Sequence, residues 1–187
     1  MKFLVFSSLL VLSIGAQAAC VSKYVQEGSN LSWTAFKTPK KVGVGAKFDK
    51  FTITSKPAET IQAAIKGSTF TVDSSSVNSG NPARDKKIVD NFFTSAGKPI
   101  KIEGKVEKME KDTATVAFTI NGVTKSVPMK VAVVEKMATL SGSINVLDFS
   151  MSKELAALNE ACKALHEGKT WADVDLKLDA KFDVSCK

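Results

Sequence analysis

The scarce reactive residues of this 187-residue chain are one histidine, His166, three cysteines, Cys20, Cys162 and Cys186, and one arginine, Arg84. His166-Glu167 has no second histidine at helical spacing, so a zinc hydrolase motif is absent. Close to a predicted helix C-terminus, His166 reads most simply as a complement to the helix dipole. Gly168-Lys169-Thr170 ends like a phosphate loop, but Lys163 stands where that loop needs its first glycine. Gly43 and Gly45 are followed by Phe48 where a dinucleotide fingerprint needs a third glycine. No serine stands in a nucleophile elbow. No catalytic constellation emerges, which points away from an enzyme, and no metal site or cofactor is expected.

Arg84 stands alone among lysines, and a guanidinium forks to a carboxylate or phosphate as lysine cannot. Two roles are open for the pair Arg84-Asp85: a structural ion pair that anchors a helix, or a contact with the head group of a ligand. The cysteine spacings fit no zinc ribbon and no redox CxxC pair. In an oxidising compartment two of the three are expected to pair and one to remain.

Such a compartment is implied by the N-terminus. Lys2 precedes an apolar run, Leu4 to Ile14, too short to span a bilayer, and Ala16-Gln17-Ala18 is a small-x-small cleavage signal. Residues 1–18 are therefore expected to be a cleaved signal peptide, and 19–187 one domain in the periplasm or outside a bacterial cell. The formal net charge is +7. With a single tyrosine and no arginine cluster, nucleic acid is an unsuitable partner. The loose cluster Lys37, Lys40, Lys41, Lys47 and Lys50 is either a solvated surface or a patch for anionic lipid or phosphate.

The elements that must position these residues are strands. Val174, Leu176, Leu178, Ala180, Phe182 and Val184 alternate with charged residues, as in an antiparallel strand with one wet face. Ala114, Val116, Phe118 and Ile120 repeat the pattern and meet Asn121-Gly122, a strong hairpin signal. Across that turn Ile120 should face Val123, and Val116 should face Val127. Further strands are expected over 22–26, 31–37, 42–54, 60–72, 100–109 and 138–150, with phase slips near Gly67 and Asp49 that suggest bulges. Asn81-Pro82 should open a short helix near Arg84–Phe92. Ser152 should cap a longer one, ending near His166 and closed by Gly168, with Leu155, Leu158, Cys162 and Leu165 as its apolar stripe. The fold class is all-β: an eight-stranded antiparallel barrel with one short and one longer α-helix.

Several segments recur in a telling order. They are Trp33-Thr34-x-Phe36, Lys47-Phe48-Asp49-Lys50-Phe51, Arg84-Asp85 with Phe92-Phe93, Thr119-Ile120-Asn121-Gly122-Val123-Thr124, and Leu147-Asp148-Phe149-Ser150. Their order and spacing resemble the YceI-like family of exported, lipocalin-like proteins. Lys37-Thr38-Pro39-Lys40 replaces the histidine usual in that family after the first long strand, which marks a divergent branch. The resemblance implies a barrel whose interior binds a long apolar lipid such as a polyisoprenoid, an isoprenoid quinone or a fatty amide.

Inward positions then become candidate lipid contacts. Trp33, Phe36, Phe48 and Phe70 come from the first half of the chain, and Ile102, Val116 and Phe118 from the middle. Val127, Met129, Leu140 and Ile144 follow, then Leu176 and Leu178. Small residues at Ala46, Ala63, Gly142 and Ser143 would leave room, and Phe92-Phe93 would cap one end. In a closed up-and-down barrel the first and last strands are antiparallel neighbours, so Cys20 and Cys186 should meet and leave Cys162 buried. The rival arrangement bridges Cys162 to a terminus. The expected role is lipid carriage, with transient membrane contact and a homodimer both open. The alternatives are an envelope-stress or interaction protein with a solid core, and an isoprenoid-modifying enzyme.

Overall fold

A computed structural model describes residues 19–187; the expected signal peptide lies outside the described residues. The chain opens with β1 (Cys20–Lys37), one long strand where alternation suggested two. It pairs antiparallel with the last strand, β12 (Thr170–Cys186), and the register slips between Val25 and Asn30. The φ of +82° at Gly28 explains the broken alternation there. Cys20 and Cys186 are direct register partners and form a disulfide, while Cys162 is a buried free thiol. Closing so long a loop stabilises the fold by about 5 kcal/mol in the chain-entropy picture.

Next come β2 (Val42–Phe48) and β3 (Phe51–Thr54), separated only by Asp49-Lys50. They are two arms of one bent path, which is the phase slip expected there. The segment 60–72, expected as strand throughout, instead begins as α1 (Ile61–Ile65). Thr60 Oγ1 accepts the Ala63 N–H, and Ile61, Ala64 and Ile65 bury one helical face. β4 (Thr69–Val72) starts only after Gly67 turns the chain at a φ of +77°. The two-residue β5 (Val77–Asn78) precedes α2 (Pro82–Asn91), where Asn81 Oδ1 accepts the Arg84 N–H and proline sits at the first turn. A small hairpin follows, β6 (Thr94–Ser95) with β7 (Lys98–Pro99).

The middle of the chain is a meander of β8 (Ile102–Met109), β9 (Thr113–Ile120), β10 (Val123–Val134) and β11 (Met137–Asn145). Asn121 and Gly122 both have positive φ, and Ile120 faces Val123 as Val116 faces Val127. Residues 146–149, expected as strand, form a 3₁₀ turn because Asn145 Oδ1 caps the Leu147 N–H. The second long helix is divided into α3 (Ser152–Ala161) and α4 (Lys163–His166). Met151 rather than Ser152 occupies its N-cap, and Cys162 marks the break with φ −114° and ψ 9°.

The main sheet has ten hydrogen-bonded strands, in the order β3-β4-β8-β9-β10-β11-β12-β1-β2-β5, where eight were expected. The difference lies in the bent β2–β3 path, which counts twice, and in short β5 at the edge. Asp49-Lys50 carries the chain from β2, next to one end of the sheet, to β3 at the other, so the sheet curls on itself. The edge of β1 beyond the reach of β2 is met by Ala58, through reciprocal backbone hydrogen bonds with Ser22 of 2.7 and 3.1 Å. The result is an all-β, barrel-like antiparallel fold with α2, α3 and α4 packed at one end.

Candidate functional site: an apolar cavity with a basic mouth

Inside the curled sheet lies a cavity of about 460 Å³. Its wall takes the inward residues of nearly every strand. Leu31, Phe70, Leu176 and Leu178 point inward yet are only half-buried, because they face this space. Trp33, Phe48, Ile102, Val116, Phe118, Met129, Leu140 and Ile144 complete the predicted wall, and Phe36 stands at its rim. Val127 is the correction. It faces Val116 across the β9–β10 ladder and is half-buried, but it packs against the core away from the cavity.

The space does not come from the small residues expected to provide it. Ala63 is exposed on α1 and Ser143 points outward, hydrogen-bonded to Asp175. Ala46 is buried but off the cavity wall. Gly142 is filled by its neighbour, since a Cβ there would meet Met129 Sδ at 2.6 Å. The room comes instead from the radius of the curled sheet.

Phe92 and Phe93 are both buried at the end of α2. The Phe93 ring lies 5.5 Å from Phe48 and 6.5 Å from Trp33, edge-on to both, and closes that side of the cavity. At the far end the polar groups are already engaged. Ser55 and Ser68 each donate to a carbonyl of α1, on Ala64 and Ile65, at 2.7 Å. The Tyr24 phenol donates to Gln26, and burial raises its pKa. Among the described residues no aspartate or glutamate lines the cavity.

Charge gathers at the mouth, where α2 and α4 face the meeting ends of β1, β2 and β12. Lys37, Arg84, Lys87 and His166 all border the opening. The His166 pKa is lowered, first by burial and then by the charges of Lys37 and Lys87. Its Nδ1 and the Thr170 hydroxyl share a hydrogen bond of 2.8 Å, and Thr170 donates to Asn159. Arg84 and Asp85 do not pair with each other; both hold Ser79. Arg84 donates from Nε to Ser79 Oγ and from Nη2 to its carbonyl, each at 2.8 Å, while Asp85 accepts the Ser79 N–H at 2.9 Å and its hydroxyl. The arginine thus fastens the loop before α2 and also borders the mouth. Sequence reasoning missed the mouth residues Lys87 and Trp171; no pattern within their own segments marks them.

No group of three or more histidine, cysteine or acidic residues is placed to hold a metal among the described residues. No helix among them is long and apolar enough to cross a membrane.

Comparisons with solved structures find this fold in proteins of low identity. A polyisoprenoid binding domain from Saccharophagus degradans superposes with a TM-score of 0.60 at 15% identity, over 90% of this chain and 100% of that one. BcnA of Burkholderia cenocepacia gives 0.58 at 16% identity, over 87% and 99%. The YCEI protein of Campylobacter jejuni gives 0.54 at 20% identity, over 78% and 86%. No curated protein matches by sequence. The model of the YceI-like domain matches residues 23–182, so the chain belongs to the YceI-like family.

Proposed function

We propose that this chain is an exported carrier that holds one long apolar lipid in its barrel and performs no chemistry on it. A polyisoprenoid, an isoprenoid quinone or a fatty amide fits the reading. The observation that carries it is the hollow interior: half-buried leucines face an apolar space within the roughly 300–1,000 Å³ of ligand pockets. Such a space disfavours water and rewards an apolar chain by about 0.8 kcal/mol per buried methylene. The engaged serines at the far end and a described wall without aspartate or glutamate support binding over catalysis. The relative from Saccharophagus degradans, described as a polyisoprenoid binding domain, agrees with the ligand class.

Organic extraction of the purified protein followed by mass spectrometry tests the reading. A long-chain lipid at about one equivalent is expected. An empty protein that also fails to take up an added polyprenol would overturn it. Sequencing of the mature N-terminus, expected just after Ala18, tests export.

A further inference from the structure

The mouth carries a second pattern that lipid storage does not require. The turn between β1 and β2 and the loop before β12 are held side by side, with Thr38 N–H donating to Lys169 O at 2.9 Å. The Trp171 indole N–H donates to Thr38 O at 2.8 Å, which fixes the ring between them. Lys169 Nζ lies 4.7 Å and Lys41 Nζ 5.2 Å from that ring, and Lys40 projects from the turn. Lys87 adds a further cation from α2, across the opening. Nearby acids are few. Asp173 is engaged by Lys41 at 2.7 Å and Glu160 by Lys163 at 3.6 Å, which leaves Glu167 as the remaining exposed acid of that loop.

Two apolar side chains stand exposed in this basic setting. Leu165 is 64% exposed and yet borders the cavity, and Val42, 46% exposed, follows Lys41. Lysines, an amphipathic aromatic ring and exposed aliphatic groups in succession match the layers of a bilayer surface: phosphate, interface, acyl chain. An apolar chain leaving a membrane also needs its acceptor's mouth pressed to that membrane, since crossing water exposes every methylene.

We propose that this rim docks on an anionic membrane, with Lys40, Lys87 and Lys169 against lipid phosphates and Leu165 and Trp171 at the acyl boundary. The cavity then opens directly onto the bilayer. The inference rests on the cavity being a lipid site, and its test separates the two.

The purified protein is sedimented with vesicles of phosphatidylcholine alone, and with vesicles of two parts phosphatidylcholine to one of phosphatidylglycerol, at low and high salt. Binding to the anionic vesicles alone, weakened by salt, is expected. The double variant Lys40→Glu/Lys169→Glu should bind about tenfold more weakly or worse. Lys56→Glu/Lys111→Glu reverses two exposed charges at the far end of the barrel and should bind as the parent does. Leu165→Asp should weaken binding to the anionic vesicles while circular dichroism stays unchanged. No vesicle binding by the folded protein overturns the proposal, and leaves an acidic protein as the rim's partner. Equal loss in the two double variants overturns it too, because net charge alone would then explain binding. Rim-specific docking by a protein that neither carries a lipid nor takes up an added polyprenol would uphold the surface and refute the carrier reading.

Discussion

Phe70 passes directly over Gly104: a Cβ at Gly104 would stand 2.3 Å from Cζ of that ring and 2.7 Å from the Ala117 carbonyl oxygen. The two are register partners across the β4–β8 ladder, and Gly104 faces Phe118 on the other side. The missing side chain lets Phe70 and Phe118 meet above β8, with ring centroids 5.5 Å apart. Gly104→Ala must therefore push a ring into the cavity or shift the backbone. A loss of about 1–3 kcal/mol is expected, the usual cost of overpacking. Chemical denaturation with paired lipid extraction checks it; a variant matching the parent in both would show that the wall yields freely.

Phe118 is 8% exposed and lies on the cavity wall. Phe118→Glu puts a carboxyl beside the bound chain, where the ionised form is costly to desolvate. Because the site is hollow, water can follow the carboxyl inward. The variant is expected to fold but to retain little or no lipid. Circular dichroism and extraction on one sample decide; full lipid occupancy in a folded variant contradicts the assignment of this wall.

Arg84 holds Ser79 through two nitrogens, which a single ammonium cannot reproduce. Arg84→Lys is expected to lose one hydrogen bond, about 1 kcal/mol, and to lower Tm by a few degrees. Differential scanning calorimetry measures this. An unchanged Tm would mean the exposed fork contributes nothing to stability.

His166 links stability to pH. Its folded pKa is depressed, first by burial and then by Lys37 and Lys87. The unfolded chain therefore takes up the proton first, near its ordinary value of about 6.5. The contribution is complete above that pH and is lost as pH falls toward the folded pKa. Tm should drop between neutral and mildly acidic pH, and His166→Asn should flatten that part of the profile. A slope that persists in the variant assigns it to other groups.

Much of the architecture was legible in local pattern. The alternation from Val174 to Val184 marks which face of β12 turns inward, because successive side chains in a strand point to opposite sides. Asn121-Gly122 sets its hairpin register because both residues adopt positive φ, and Asn81-Pro82 opens α2 through a side-chain cap and a preset φ. Eleven of the twelve predicted positions that border the cavity lie on the inward faces of their strands; Phe36, on the opposite face of β1 from Trp33, reaches only the rim. Where local signals competed, the pattern misled. Ile61, Ala63 and Ile65 alternate like a strand, but Ile61, Ala64 and Ile65 also fit a helix, and the Thr60 cap favours the latter.

Other features depend on distances between residues far apart in the chain. Whether the barrel is hollow depends on how wide the sheet curls, and period-two alternation carries no curvature. Gly142 resembles room for a ligand in sequence, yet the side chain of Met129 on the neighbouring strand fills it. Lys87, Leu165 and Trp171 become one rim only when α2, α4 and β12 converge at the mouth. Strand periodicity sets the faces, and the order of the segments marks the family; the cavity and its opening arise only on closure, because an enclosed volume belongs to the whole closed sheet and to none of its strands.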